Sequence, residues 1–263
     1  MRIFFAGAEK GAFQDILYEQ KVKDILLSFY WNKDKDLKKE KGRGFSIFLD
    51  SGGYTARKQG IDIDVKEYGR FLQDNKDYIF TAANLDVMEI EKALENQKYL
   101  EQIYPVLPVY HYSEYAEKRN DLLEEFCKKY DYIAVGGIAG MGLGKRIVKN
   151  FLNYCFRRFV KYKKKVHGFG ITSLDLLKEY PFYTVDSTAW LVGGKFGTIL
   201  KWNPEFKMKT TIHYSHKEKM LKDNIPVKLI DRYQDRLVYN IKELLKMEEQ
   251  ITKLWRIRGI NYD

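Results

Sequence analysis

The stretch FSIFLDSGGY, residues 45–54, decides how the rest of this 263-residue sequence is interpreted. Its first part is an apolar run of strand length, and Asp50 follows directly. In α/β enzymes the catalytic side chains usually stand at the carboxyl ends of parallel strands. Gly52 and Gly53 let the backbone turn sharply and approach a flat ligand, and Tyr54 can cover the face of that ligand. The simpler alternative is a tight strand-to-helix turn in which Asp50 only caps the helix.

The same arrangement recurs along the chain, because several apolar runs end in a polar or glycine-rich cluster before a helical pattern begins. These runs end at Asp86, His111, Gly136-Gly137, His167-Gly168 and Asp186. Two further strands are expected, at residues 2–6 and within residues 197–214. The result is about eight strand-helix units. We therefore predict an α/β fold, a (β/α)8 TIM barrel, built as a single domain with a C-terminal helical tail.

Helices are predicted between the strands from apolar residues spaced three and four apart. Their ranges are 14–29, 65–75, 89–103, 113–129, 145–163 and 173–179. Residues 191–197 are expected to form a glycine-rich loop, residues 201–225 to be irregular, and residues 236–255 to form an amphipathic helix. The corresponding domain prediction is a catalytic barrel over residues 1–214 and a helical extension, packed on it, over residues 215–263.

The formal net charge of +10 is concentrated in a few stretches, above all in residues 157–165. Basic side chains can neutralise a phosphate backbone, and aromatic residues among them can stack on bases. The candidate nucleic-acid contacts in this stretch are Arg157, Arg158, Lys161, Lys163, Lys164 and Lys165. The alternative is a set of lysine-rich helix faces that serve only solvation.

The sequence shows neither a recognisable targeting signal nor a complete set of metal ligands, although His213 and His216 have a spacing that can hold a metal. The apolar part of the N-terminus is too short for a signal peptide, and no run reaches the roughly 18 apolar residues of a membrane span. We therefore expect a soluble, cytoplasmic protein with no membrane partner. Cys127 and Cys155 lie in helical segments and suit buried thiols. His213 and His216 lack further ligands nearby, so neither a metal nor another cofactor is expected.

Taken in order, the strand ends resemble those of the tRNA-guanine (queuine) transglycosylase family, whose barrel enzymes exchange a guanine in nucleic acid for a 7-deazaguanine. Residues 50–54 are similar to the family's Asp-Ser-Gly-Gly-Phe, and Asp86 stands like its base-reading aspartate. Residues 134–138 are similar to its Ile-Gly-Gly-Leu, residues 168–170 to its Met-Gly-Val-Gly, and residues 185–187 to its nucleophile-bearing Phe-Asp-Cys. His111 replaces a glutamine of the family.

The chemistry of base exchange assigns roles to these residues. A carboxylate that attacks the anomeric carbon splits one difficult step into two easier ones, and Asp186 is the predicted nucleophile. Asp50 is the predicted general acid and base. Asp86 is expected to accept hydrogen bonds from a guanine-like base, and helix capping is the alternative role for both Asp86 and Asp186. The other predicted substrate contacts are Ser51, Gly53, Tyr54, His111, Gly136, Gly137, His167 and Gly168.

The departures from the family pattern point to a particular branch of it. The tRNA enzymes carry a cysteine-rich zinc site after the last strand, whereas residues 205–235 contain no cysteine. A reduced, zinc-less branch, known from phages and bacterial gene clusters, inserts a 7-deazaguanine into DNA, and this chain resembles that branch most. The resemblance implies DNA and a free 7-deazaguanine base as partners, in the host cytoplasm if the chain is phage-encoded. Trp190 and Lys195, on or beside the glycine-rich loop, are expected to fill the gap left by the target base or to hold the strand.

Three other interpretations stay open at the level of sequence. The protein can act on tRNA or another RNA, it can be a non-catalytic nucleic-acid-binding barrel, or it can be a glycosidase that acts on free sugars. The strong positive charge makes the glycosidase the weakest of the three. A homodimer and a partner protein that delivers the base are both compatible with the sequence.

Overall fold

The computed structural model describes residues 1–203, 208–227 and 232–262, and strands and helices alternate along most of this length. The strands are β1 (Arg2–Ala6), β2 (Asp24–Ser28), β3 (Ser46–Asp50), β4 (Ile79–Ala83), β5 (Val106–Leu107), β6 (Val109–His111), β7 (Tyr132–Gly136), β8 (Lys165–Gly168), β9 (Thr184–Ser187), β10 (Thr198–Asn203) and β11 (Met208–His213).

The helices differ widely in length. They are α1 (Gly11–Glu19), α2 (Phe29–Asn32), α3 (Lys38–Gly42), α4 (Gly53–Lys58), α5 (Val65–Asn75), α6 (Ile90–Leu100), α7 (Tyr112–Ala116), α8 (Asn120–Lys129), α9 (Lys145–Lys161), α10 (Leu174–Glu179), α11 (Ala189–Lys195), α12 (Lys217–Lys222) and α13 (Tyr233–Ile257). The parallel strands with intervening helices confirm the predicted α/β fold of the (β/α)8 TIM-barrel type, with a C-terminal helix.

Residues 23–170 form one compact unit that carries most of the parallel strands. Within it β2, β3, β4 and β5 are neighbours in that order, as are β6, β7 and β8. Only Pro108 separates β5 from β6; it has no N–H to donate, while its carbonyl accepts a hydrogen bond from the Ala134 N–H (2.9 Å). β5 and β6 are therefore one strand interrupted at a proline, which pairs with β4 on one side and with β7 on the other.

The strands of this unit are apolar because both of their faces are buried. In β3, for example, Ile47, Phe48 and Leu49 are completely buried. Since neighbouring strands run parallel, their carboxyl ends share one edge of the sheet. That edge carries Asp50 as the last residue of β3 and His111 as the last residue of β6.

Residues 1–22 and 171–263 form the second compact unit. Here β1 pairs in parallel with β9, and β10 pairs with β11 as an antiparallel hairpin. Helix α13 confirms the predicted C-terminal helix, and its Trp255 Nε1 donates to the Leu177 carbonyl (2.8 Å). At the same helix Thr252 Oγ1 accepts a hydrogen bond from the terminal amino group of Met1 (3.1 Å).

The sequence prediction was wrong about one barrel strand. Residues 14–29 were expected to be a single helix, but they contain the end of α1 and all of β2. Ile25, Leu26 and Leu27 form a short apolar run, and periodicity alone cannot distinguish such a buried strand from a buried helix. The strand expected within residues 197–214 is instead the β10–β11 hairpin, a two-stranded sheet of its own.

Three further boundaries differ from the prediction. Residues 191–197, expected to be a loop, lie mostly in α11. Of residues 201–225, expected to be irregular, the described part contains β11 and α12, and residues 204–207 lie outside the described residues. The helix expected over residues 113–129 is divided into α7 and α8, because Lys118 adopts a left-handed conformation with a φ of 61°. Helix α5, in contrast, begins and ends where the sequence pattern predicts.

The division into a barrel over residues 1–214 and an extension over residues 215–263 stays a prediction. Cys127 and Cys155 are free, buried thiols, and burial raises the pKa of both. None of the helices in the described part of the chain combines the length and the apolar character needed to cross a lipid bilayer.

Candidate functional site at the carboxyl ends of the strands

The turn after β3 brings the Asp50 segment against the segment that contains Asp86. Gly52 has a φ of 78°, which favours glycine, and a Cβ on Gly53 would lie 2.4 Å from the backbone oxygen of Asp86. The Gly52 N–H donates to Asp50 Oδ2 (3.0 Å), and the Gly53 N–H donates to Ser51 Oγ (3.3 Å). Asp50 therefore stands at the strand end with one carboxylate oxygen bound to the turn, and Gly53 has no room for a side chain.

Tyr68 connects α5 to the end of β4 near this turn. Its ring is fully buried, and its hydroxyl donates to the Ala83 carbonyl (2.8 Å). Burial, and then the negative charge of Asp50, raise the pKa of this hydroxyl well above its ordinary value. The hydroxyl consequently remains a neutral hydrogen-bond donor, and α5 stays attached to the strand end.

Asp86 lies in the loop after β4 and is held by Arg57 of α4. Arg57 Nη1 donates to the Asp86 backbone oxygen (2.6 Å), and Nη2 donates to Asp86 Oδ2 (3.1 Å). These charge-assisted contacts fix both the loop and the direction of the carboxylate. Both side chains keep 27% of their surface exposed, so a ligand can still reach the pair. Arg57 was not predicted as a site residue, because a lone arginine one helical turn after Gly53 belongs to no motif.

The imidazole of His111 lies between two carboxylates. Its Nε2 is 3.6 Å from Asp86 Oδ1, and its Nδ1 is 3.2 Å from Glu114 Oε1. The backbone N–H of His111 also donates to Glu114 Oε2 (2.8 Å). Glu114 was not predicted as a site residue, although a glutamate three positions after a strand end is a capping pattern that points to it. His111 and Glu114 thus form a pair at the start of α7.

The electrostatics of this pair favour the charged imidazole. Burial lowers the pKa of His111, but the hydrogen bond with Glu114 and the charges of Asp86 and Glu114 outweigh burial, so the pKa is raised overall. Burial raises the pKa of Glu114, whereas its hydrogen bond and ion pair with His111 lower it, and the net direction is downward. Both shifts favour the charged forms of Glu114 and His111.

The glycine pair at the end of β7 packs against the His111 ring. A Cβ on Gly136 would lie 2.9 Å from His111 Cδ2, and a Cβ on Gly137 would lie 3.2 Å from the backbone nitrogen of Tyr112. Gly137 also has a φ of 70°. Both glycines therefore pack closely against the His111 segment, where neither position has room for a side chain. The predicted contact of their amides with a ligand stays a prediction.

Tyr54 lies at the solvent edge of this group of residues. Its side chain is 54% exposed, and Lys58 Nζ stands 4.5 Å from the ring centroid. A Cβ on Gly140 would lie 3.6 Å from the Tyr54 hydroxyl, so the glycine-rich turn after β7 passes close to the ring. One aromatic face is thus available near the strand ends, and its stacking on a base stays a prediction.

His167 and Gly168 belong to β8 and are both buried. The His167 ring is completely enclosed, with its centroid 4.4 Å from that of Phe48 and 4.5 Å from that of Phe169. The ring is therefore part of the aromatic interior of the 23–170 unit. The predicted role of His167 and Gly168 in substrate binding stays a prediction.

Three predicted site residues lie in the second unit. Asp186 is in β9, opposite Phe4, and keeps 8% of its surface exposed. Trp190 was expected to contact nucleic acid from a loop, which is wrong: it is completely buried in α11, and its Nε1 donates to the Ala6 carbonyl (2.9 Å). Lys195 is exposed, with its Nζ 4.7 Å from the centroid of the Phe13 ring.

The basic stretch of residues 157–165 lies at the opposite end of the strands from Asp50 and His111. It covers the last turns of α9 and the start of β8, where the Lys165 N–H donates to the Asp131 carbonyl just before β7. Strands of four or five residues separate the two ends by about 13 to 17 Å. The basic stretch is therefore separated from the residues at the carboxyl ends by about the length of one strand, and its contact with nucleic acid stays a prediction.

Some side chains of this stretch are not available to phosphate groups. Arg158 Nε lies 3.5 Å from Glu124 Oε2, and Lys164 Nζ donates to Asp131 Oδ1 (3.0 Å). Phe159, one of the aromatic residues within this stretch, is buried and therefore has no exposed face on which a base could stack. The exposed members are Arg157, Lys161, Lys163 and Lys165.

Within residues 23–170 the structure thus joins the predicted site residues of four strand ends. Contacts run from the Asp50 turn through Gly53 to Asp86, from Asp86 to His111, and from His111 to Gly136. In the part of the chain that the structure describes, no three His, Cys, Asp or Glu side chains are grouped as a metal site requires.

No protein-family model matches this sequence, and no curated protein matches it either. Among solved structures, the crystal structure of a variant of the citrate synthase SbnG is similar to this chain, with a TM-score of 0.40 and 6% sequence identity over 71% of this chain and 85% of that one. A similarity this distant carries no argument about function.

Proposed function

We propose that this chain is a transglycosylase that exchanges a guanine in DNA for a 7-deazaguanine derivative through a covalent glycosyl-aspartate intermediate. The observation that carries the proposal is the run of contacts from the Asp50 turn through Asp86 and His111 to Gly136. It supports the proposal because strand ends that resemble the tRNA-guanine transglycosylase family meet there in one partly buried polar site. Buried charged groups at the carboxyl ends of barrel strands are typical of catalytic sites.

In the proposed first half-reaction, the carboxylate of Asp186 attacks the anomeric carbon of the deoxyribose. The bond from that carbon to the guanine nitrogen breaks, its electron pair goes to the nitrogen, and the nitrogen takes a proton from the carboxylic acid of Asp50. In the second half-reaction, the incoming 7-deazaguanine gives its proton to the Asp50 carboxylate and attacks the anomeric carbon. The ester bond to Asp186 then breaks and restores the carboxylate.

In the same proposal Asp86 and His111 hold the base. A guanine-type base carries a ring N–H beside a carbonyl, and a carboxylate oxygen beside an imidazole nitrogen can pair with both groups. The target nucleotide must leave the base stack to reach these side chains, and Tyr54 offers an exposed ring at the edge of the site.

DNA is the proposed substrate because residues 205–235 contain no cysteine, so the chain lacks the zinc module of the tRNA enzymes that it resembles. The same absence favours the reduced branch of the family. An RNA substrate would change the sugar that is recognised but neither the bond that breaks nor the residues assigned to it.

The test is base exchange with labelled guanine or 7-deazaguanine, supplied in parallel to duplex DNA, single-stranded DNA and tRNA. Label is expected in DNA, and a denaturation-resistant protein–DNA adduct is expected to form and to be lost in Asp186→Ala. Asp50→Asn is expected to slow both half-reactions. Asp77→Asn, an exposed aspartate before β4, is the matched control and is expected to behave like the wild type.

Each other outcome assigns a different function. Label that enters only tRNA would establish an RNA enzyme. An adduct that persists in Asp186→Ala would refute the assignment of the nucleophile. Absence of label from every substrate, together with retained binding to DNA, would favour the non-catalytic binding barrel.

A further inference from the structure

The contacts of His111 define which of its ring nitrogens carries a proton. Nδ1 lies 3.2 Å from Glu114 Oε1, so this nitrogen carries a proton that it donates to the carboxylate. Nε2 lies 3.6 Å from Asp86 Oδ1 and is the nitrogen that remains for a ligand. If the ring is neutral, Nε2 is an acceptor; if the ring is charged, Nε2 is a donor.

The groups that face this ring favour the charged form. The loop after β4 contributes the carboxylate of Asp86, and α7 contributes the carboxylate of Glu114. Helix α4 contributes the opposing cation Arg57, which is already paired with Asp86 Oδ2 (3.1 Å). The end of β7 meets the ring with the uncharged Gly136 and Gly137. A glutamate that accepts from both the backbone and the ring of His111 holds the ring in one orientation.

We propose that Glu114 is a positioning residue that keeps His111 charged, so that His111 Nε2–H and Asp86 Oδ1 together bind a carbonyl that stands beside a ring N–H. This inference rests on the proposed function, because guanine and 7-deazaguanine both present that pair of groups on one edge. The carbonyl accepts from His111 while the neighbouring N–H donates to Asp86. A hydrogen bond from a charged imidazole is roughly twice as strong as one from a neutral donor.

A pH dependence of base binding follows from this arrangement. The hydrogen bond and charge of Glu114 raise the pKa of His111, so the donor form persists to higher pH than in a free histidine. As the pH rises through that raised pKa, Nε2 loses its proton and presents a lone pair to the carbonyl. Binding of 7-deazaguanine should therefore weaken on the alkaline side. Removal of the Glu114 charge should move this loss to lower pH.

The test is calorimetric binding of 7-deazaguanine to the full-length wild type, Glu114→Gln and His111→Gln between about pH 6 and pH 9. Glu114→Gln is expected to bind several-fold more weakly than the wild type at the alkaline end of this range and to approach wild-type binding toward the acid end, because loss of the Glu114 charge lowers the pKa of His111. His111→Gln is expected to bind with little pH dependence, since an amide always carries an N–H. 6-O-methylguanine, which lacks the carbonyl and the ring N–H, is expected not to bind.

A second measurement separates positioning from simple structural support. The NMR titration of His111 in the unliganded protein is expected to show a pKa that is lower in Glu114→Gln than in the wild type. An unchanged pKa, or a loss of binding in Glu114→Gln that is equal at every pH, would overturn the inference. Base exchange that proceeds without this pH behaviour would leave the proposed function intact and refute only the role of Glu114. A lowered pKa in a protein that binds and exchanges no base would instead refute the proposed function together with this ligand.

Discussion

The charged side chains at the two ends of the parallel strands in residues 23–170 differ in burial and in pairing. At the carboxyl ends, Asp86, His111 and Glu114 are partly or largely buried and contact one another or Arg57. At the amino ends, Lys163 and Lys165 are exposed to solvent. Burying a charge costs free energy unless it is paired, and buried ion pairs often contribute little net stability. We therefore attribute the network at the carboxyl ends to the proposed function rather than to folding, whereas the exposed charge at the amino ends carries no such desolvation cost.

The amino ends do contain ion pairs, but in each of the two pairs described below at least one side chain is largely exposed to solvent. Lys129 Nζ lies 2.7 Å from Glu101 Oε2, with the lysine side chain 57% exposed. Lys164 Nζ lies 3.0 Å from Asp131 Oδ1, with the aspartate fully exposed. Exposed pairs of this type are screened by salt and each contribute at most about 1 kcal/mol. The comparison thus predicts large functional effects at one end of the strands and small ones at the other.

The largest expected effect is on catalysis, from removal of the acid at the end of β3. Asp50→Asn should slow base exchange by about 100-fold or more, because an amide cannot transfer the proton that general acid and base catalysis requires. Single-turnover rates with saturating DNA and 7-deazaguanine measure this effect. Asp77→Asn makes the same chemical change at the amino ends and should leave the rate unchanged. Equal rates for wild type and Asp50→Asn would remove Asp50 from the mechanism.

A smaller effect, on stability, is expected from Gly53→Ala. The new Cβ would lie 2.4 Å from the backbone oxygen of Asp86, which cannot move as easily as the end of a flexible side chain. Overpacking of this kind costs about 1 to 3 kcal/mol of unfolding free energy. Gly42→Ala is the control at the amino ends, because no atom lies within 4 Å of its added Cβ. Denaturant unfolding of both variants gives the comparison, and equal stabilities would show that the Gly53 turn relaxes freely.

The strand ends of the site could be predicted from the sequence, while the contacts between them could not. An apolar run followed by a polar cluster identifies Asp50 and His111 as strand-terminal, because a strand buried on both faces has to be apolar up to its end. Arg57 and Glu114 complete the network through contacts across different segments, and such contacts leave no periodic signal. Glu114 had a local signal, the capping pattern with His111, whereas Arg57 had none.

The errors about the fold have a common physical cause. The strand β2 was interpreted as part of a helix because three consecutive buried aliphatic residues fit either structure. Trp190 was expected on or beside a loop because Gly193, Gly194 and Gly197 follow it in the sequence. In the structure Gly194 instead lets α11 approach Leu237 of α13, since a Cβ there would lie 2.4 Å from Leu237 Cδ2. Glycine marks close packing as well as flexibility, and sequence alone does not separate the two.

A third expected effect is on DNA affinity, and it tests whether the side chains at the amino ends bind nucleic acid. Arg157→Ala, Lys161→Ala and Lys163→Ala combined should leave the exchange rate at saturating DNA unchanged. If these side chains contact phosphates of a long duplex, the slope of log affinity against log salt should become shallower by about 2 to 3. Binding of a long and a short duplex across a salt series measures this slope. An unchanged slope would assign the basic stretch to solvation alone.

The smallest expected effect comes from the exposed ion pair at the amino ends. Burial raises the pKa of Glu101, but hydrogen bonds from Gln97, Lys129 and Tyr130 lower it by more, so the net direction is downward. A lowered pKa contributes stability that is present above the unfolded-state value and is lost as the pH falls through the folded-state value. Lys129→Met should therefore lower the free energy of unfolding by less than about 1 kcal/mol near neutral pH and by almost nothing in acid.

At the carboxyl ends the sign is reversed for His111, because its pKa is raised in the folded state. The stability that this shift contributes is present below the unfolded-state pKa and is lost as the pH rises through the folded-state pKa. The free energy of unfolding of the wild type, Lys129→Met and His111→Gln, measured across pH, distinguishes these two pH dependences. If the Lys129→Met difference grew on acidification, or the His111→Gln difference grew on the alkaline side, the contrast between the two ends of the strands would not be electrostatic.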